Sequence, residues 1–215
     1  MSYRYGLTYQ EEVTIESLNA VTHGLSALLS LVACYFLFQK VQVESQFHIL
    51  LAYLIYGASL VILFLNSTLY HAFTFTKFKS FLQKMDHVAI YILIVGTFTP
   101  YLLVGLNDQF GLISCIISWI LAFIGILFEI FWTNKYPRLS TFMYIGLGWM
   151  SLIFIPRLIS IINLEGILLL AGGGLLYTVG TIFYSMKHNK WMHVIWHLFV
   201  SSAAFLMFLS IYFYL

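Results

Sequence analysis

Residues 47–70 read FHILLAYLIYGASLVILFLNSTLY, twenty-four positions without one Asp, Glu, Lys or Arg. At 1.5 Å per residue a helix of that length is about 36 Å long, enough to cross a bilayer core of about 30 Å. The run lacks the apolar–polar alternation that a transmembrane barrel strand needs. Six further runs of the same kind lie at 18–38, 85–106, 110–132, 139–156, 164–186 and 191–215. The connections are short, and none can hold a folded domain. The expectation is an all-α integral membrane bundle of seven transmembrane helices, a single domain over 18–215 behind a short tail, 1–17. That tail carries one Arg and three Glu, and no small-residue cleavage site follows the first run, so the run is not read as a cleavable signal.

Composition agrees. Of 215 residues, 61% are hydrophobic and only 8% charged, against roughly 25% charged in an ordinary soluble domain. There is too little polar surface to cover one core, which excludes a soluble globule and, with it, a disordered chain. Ten Lys+Arg against eight Asp+Glu leave a net charge of +2, no basic field for nucleic acid. Cys34 and Cys115 sit inside apolar runs with no metal-binding or redox spacing.

Lys and Arg gather on cytoplasmic loops, so their placement orients the bundle. With the N-terminus inside, that side holds Arg4, Lys77, Lys79, Lys84, Lys135, Arg138, Lys187 and Lys190, and the other holds Lys40 and Arg157. The expected topology is therefore N-terminus cytoplasmic, C-terminus extracytoplasmic.

The remaining polar residues converge on that same end. Glu16, Asn19 and His23 follow one face of the first helix, Ser67 and His71 close the second, Asp86 and His87 open the third, and His193 and His197 open the seventh. Ionisable groups at membrane depth are costly, so each is a functional candidate. Two histidines at i and i+4 can reach one metal ion, although the spacing fits a pair of interfacial histidines as well. His71 at matching depth tips the reading toward a metal, and three imidazoles with an open fourth position suit Zn²⁺ carrying a water.

These residues also carry a resemblance. Glu16, Asn19 and His23 spell E-x2-N-x3-H, Ser67 and His71 spell S-x3-H with Asp86 following, and His193 and His197 spell H-x3-H. In this order, and across essentially the whole chain, they resemble the hemolysin III family, the bacterial branch of the progestin and adipoQ receptor superfamily that includes the adiponectin receptors. The resemblance implies that His71, His193 and His197 bind zinc, that Asp86 is a general base or a partner of the zinc-bound water, and that Ser67 orients water or polarises a substrate carbonyl. Similar seven-helix proteins, the alkaline ceramidases among them, imply hydrolysis of a lipid amide in membrane lipid homeostasis. Larger animal relatives carry a longer cytoplasmic N-terminal region, so a hormone-receptor role is not carried over. Glu16, Asn19 and His23 are expected to support the pocket by hydrogen bonding, with capping of the first helix as the alternative.

Other features read as architecture. Expected roles are interfacial for His87, solvated loops for His48 and His188, water-reaching positions for Glu129 and Glu165, close helix packing for Gly172, Gly173, Gly174 and Gly180, and a kink at Pro100. Trp132, Trp191, Tyr214 and the aromatic loop 73–81 are expected interfacial anchors. Three functions compete: a zinc-dependent hydrolase of a lipid amide or ester, a sensor of membrane fluidity with structural zinc, and a pore of the cytolytic kind the family name suggests. A through-path needs polar residues along its length, and the outer halves of these helices carry almost none. A retinal protein is excluded because all seven lysines fall in loops or at helix edges. Membrane lipids are the expected partners, with no nucleic acid.

Overall fold

The computed structural model describes residues 7–42, 46–132 and 135–215; Arg4 and the Arg138 side chain, both counted for orientation, lie outside that description. Its elements are α1 (Tyr9–Gln42), α2 (Phe47–Ala72), α3 (Lys79–Pro100) running into a π-helical turn (Tyr101–Leu106), α4 (Gln109–Trp132), α5 (Pro137–Trp149) running into a 3-10 turn (Met150–Ile153), the one-turn α6 (Ile155–Leu158), α7 (Leu164–Ser185) and α8 (Trp191–Tyr214). Six of these segments are long and apolar enough to span a bilayer, and the fifth contributes the shorter apolar helix Leu139–Ile153. No strand occurs among the described residues. The chain is a seven-helix membrane bundle in which α6 finishes the fifth segment.

Burial on α1 runs opposite to that of a soluble helix. Asn19, His23, Ser26 and Ser30 face inward, while Val21, Leu25, Leu28 and Leu29 are each more than half exposed. In water this would forfeit apolar burial; with hydrocarbon outside, only the polar groups need partners inside the bundle.

The helix α1 also begins well before position 18. Thr8 N–H donates to Glu11 Oε2 (2.7 Å) and Glu11 N–H donates to Thr8 Oγ1 (3.2 Å). This reciprocal capping box satisfies two of the free donors at the helix start. Its signature, Thr8-x-x-Glu11, stands in the sequence outside the apolar run.

Pro100 has no N–H to give, and the chain answers by continuing as a π turn rather than an α-helix. Thr97 and Thr99 turn their hydroxyls back to the carbonyls of Leu93 and Val95, both at 2.8 Å. The turn ends at Asn107, whose φ of 44° is left-handed. Asp108 then caps α4 through Gly111 N–H (2.7 Å) and pairs with Arg157 (2.9 Å), tying the start of α4 to α6.

The glycines of α7 divide. A Cβ on Gly180 would meet Trp196 at 2.8 Å and Phe199 at 2.9 Å, and one on Gly173 would meet Met207 at 3.0 Å, so both serve the close approach of α8. Gly174 has nothing within 4 Å and lines the internal cavity instead. The expected close packing therefore does not extend to that residue.

Candidate metal centre

Two helix ends make the site. His71 closes α2, and His193 and His197 occupy successive turns at the start of α8, so their imidazoles meet at one level. His193 Nε2 lies 3.3 Å from His71 Nε2 and 3.1 Å from His197 Nε2. One ligand atom from each of the three falls within 4.8 Å of the others, a grouping that can hold a metal ion.

The hydrogen bonds on the far sides of two rings decide what those nitrogens offer. His71 Nδ1–H donates to Glu16 Oε2 at 2.6 Å, and His197 Nδ1–H donates to the Asn19 carbonyl at 3.2 Å, with Thr22 Oγ1 3.3 Å from the same nitrogen. A neutral imidazole carries one proton, so in both rings Nε2 is left as a lone pair facing inward. His193 Nε2 lies close to both, and with its own proton on Nδ1 it completes a set of three lone pairs that a cation can occupy. Ligand nitrogens about 2.05 Å from a tetrahedral ion lie about 3.3 Å apart, which is the spacing found. The donor set fits a metal.

The three residues of α1 reach the centre by different routes. Glu16 holds His71, and Asn19 holds His197 through its backbone rather than its side chain, whose Oδ1 is buried without a partner. His23 stacks flat on His197, with ring centroids 3.5 Å apart and planes within 5°, and meets Phe64 edge-on. Neither of its ring nitrogens has a hydrogen-bond partner. Thr22 was not among the sequence candidates; its position between Asn19 and His23 was the available signal.

Asp86 and Ser67 are buried beside the triad. Asp86 has Ser67, His71 and His87 among its electrostatic neighbours, with the Ser67 hydroxyl set beside its carboxylate. Both line a cavity of about 750 Å³ that also touches His71, His193 and His197. From His197 it extends along α8 to Met207, about 15 Å at the helical rise. Trp149, Leu170 and Phe98 line it too, so an apolar chamber adjoins a polar end.

Three expectations need correcting. Glu129 does not reach water: it is fully buried and accepts hydrogen bonds from His87 Nδ1–H (2.7 Å), the Tyr144 hydroxyl (2.9 Å) and the Ser140 hydroxyl. A buried carboxylate is tolerable only when its lone pairs are so occupied. His87 accordingly is not an interfacial side chain but half of this pair, with its ring 20% exposed and lining the cavity. Sequence placed Glu129 one turn from a helix end and could not show α5 lying across it. His48 differs as well: it sits in the first turn of α2, with Nε2 buried and unpartnered. His188 and Glu165 are exposed as expected.

Comparison with known proteins places this arrangement in context. Residues 12–208 match the family model described as "Haemolysin-III related". The chain is 41% identical to the hemolysin-3 homolog of Bacillus subtilis (strain 168) over 207 residues, covering 96% of this chain and 95% of that one. It is 38% identical to hemolysin-3 of Bacillus cereus over 199 residues, 93% and 91% of the two chains. Similarity extends to the human monocyte to macrophage differentiation factor, 32% identical over 173 residues, 75% of this chain and 69% of the human one.

Proposed function

The chain belongs to the haemolysin-III-related family of the progestin and adipoQ receptor superfamily, a multi-pass protein of the bacterial cell membrane, and on that premise we propose that it is a zinc-dependent hydrolase of a membrane lipid amide or ester. The observation that carries the reading is the continuity of the histidine triad, Asp86 and an apolar chamber within one cavity. A structural metal site needs neither an adjoining buried acid nor a lipid-sized space.

His71, His193 and His197 would hold the ion, with Glu16 and the Asn19 carbonyl fixing two of the rings. Bound there, Zn²⁺ would lower the pKa of a water toward about 7 and polarise a carbonyl. The chain's own groups do the rest. Asp86 takes a proton from the attacking water, as a carboxylate held within the site. Ser67, which lines the cavity next to Asp86, orients that water or donates to the carbonyl oxygen. The apolar chamber holds an acyl chain, which places the scissile bond at the polar end and keeps bulk water from it. Lipid homeostasis is the context this chemistry suits.

The test uses the full chain in nanodiscs. Elemental analysis should find one zinc per chain, and mass spectrometry should find product from at least one class among ceramides, N-acyl amines and lipid esters. Asp86→Asn should abolish turnover with zinc retained. If no class is cleaved, or Asp86→Asn retains full function while loss of the histidines only lowers thermal stability, the zinc is structural and the protein acts as a sensor instead.

A further inference from the structure

A second carboxylate–imidazole pair, Glu129 and His87, plays no part in the triad and presents its imidazole to the cavity. We propose that His87, held by Glu129, is the group that protonates the leaving nitrogen when a lipid amide is cleaved; this deepens the hydrolase reading and rests on it. Amide hydrolysis sets two proton tasks. Water must lose a proton as its oxygen bonds to the acyl carbon, and the nitrogen must gain one as the C–N bond breaks, because an amide anion is too basic to leave. Asp86, beside Ser67 and the triad, serves the first task. The second is open to a separate donor on the cavity wall, placed on the leaving-group side.

His87 has the geometry. Its Nδ1–H is committed to Glu129 at 2.7 Å, so the tautomer is set and Nε2 is the nitrogen that can trade a proton with a guest. Glu16 and His71 make the same kind of pair, but there Nε2 faces another imidazole at 3.3 Å. The His87 ring lines the cavity and is 20% exposed. Glu129 cannot itself be the acid, since Ser140 and Tyr144 donate to its other oxygen and the whole group is buried. Three donors stabilise its negative charge, which pairs with the His87 ring when that ring carries both protons. The charged and titratable groups around the ring are Glu129 from α4, Asp86 from its own helix, Tyr144 from α5 and Lys187 from beyond α7. The step balances: the proton leaves His87 Nε2 for the nitrogen, an amine and a carboxylic acid result, and the proton taken from water by Asp86 restores His87.

The experiment compares two lipids with the same acyl chain, an alkyl amide and a nitrophenyl ester whose leaving group needs no proton. In the zinc-loaded full chain, His87→Gln should lower kcat/KM for the amide by about 100-fold or more and for the ester by no more than about threefold, the size expected for loss of a general acid. Zinc content and thermal midpoint should stay at wild-type values, and Glu129→Gln should show the same split with a smaller loss. Independently of turnover, the ¹⁵N resonance of His87 Nε2 should shift when a non-cleavable lipid amide fills the cavity. Equal losses on both lipids would make the pair a staple between helices and overturn the proposal, as would no loss on either or an unmoved resonance. Wild-type cleavage of the ester alone would overturn it while sparing the hydrolase reading; cleavage of neither would end both.

Discussion

Glu16 and His71 stand 55 positions apart in the chain, and their Oε2 and Nδ1 atoms lie 2.6 Å apart across the α1–α2 contact. The pair converts a glutamate at the mouth of a membrane helix into the orienting partner of a metal ligand. It also explains why the costly placement of an acid there is tolerated, since the carboxylate is bonded on the side that faces the bundle.

Glu16→Gln should therefore weaken metal binding without removing it. Loss of such an orienting carboxylate costs about 10–100-fold in affinity. Competition against a chelator of known zinc affinity measures the change, and an unaltered affinity would show the pair to be incidental.

His193→Ala removes the imidazole that stands between the other two, so the remaining pair should no longer hold an ion tightly. A ligand bound only to the folded state raises stability by about 2.7 kcal/mol at a hundredfold excess over its Kd. Zinc should accordingly raise the thermal midpoint of the wild-type protein in detergent, and chelation should reverse it. His193→Ala should respond to neither treatment.

Two glycines on α7 give a paired test of packing. Gly180→Leu drives a side chain into Trp196 and Phe199 and should destabilise the bundle by about 1–3 kcal/mol, the usual range for overpacking. Gly174→Leu meets open space and should leave the thermal midpoint near wild type while filling part of the cavity. Thermal unfolding separates the two, and displacement of a fluorescent fatty amide reports the loss of volume.

Orientation is testable by fusion. A reporter active only in the cytoplasm, joined after Leu215, should be silent, and one active only outside should report. The opposite result would place the metal centre on the outer face and remove the cytoplasmic assignment of the lysine-rich end.

Some of this protein is one-dimensional. Transfer into hydrocarbon depends on the mean polarity of a segment, so the run at 47–70 and its six counterparts announce themselves without any knowledge of neighbours. Depth is equally legible: once the spans are placed, His71, Asp86, His193 and His197 fall at one level by counting residues. The His193/His197 spacing even specifies a shared face. Partnership is different, because it depends on how each helix is rotated about its axis and which helix it meets, and hydropathy is indifferent to both. Nothing local says that Glu16 holds His71, that Asn19 acts through its carbonyl, or that His23 lies flat on His197. Glu129 is the clearest case. By position it is an acid near a helix end, free to find water. Only the packing of α5, which lays Ser140 and Tyr144 over it while α3 brings His87 to its other oxygen, makes it the buried anchor of a second imidazole in the cavity.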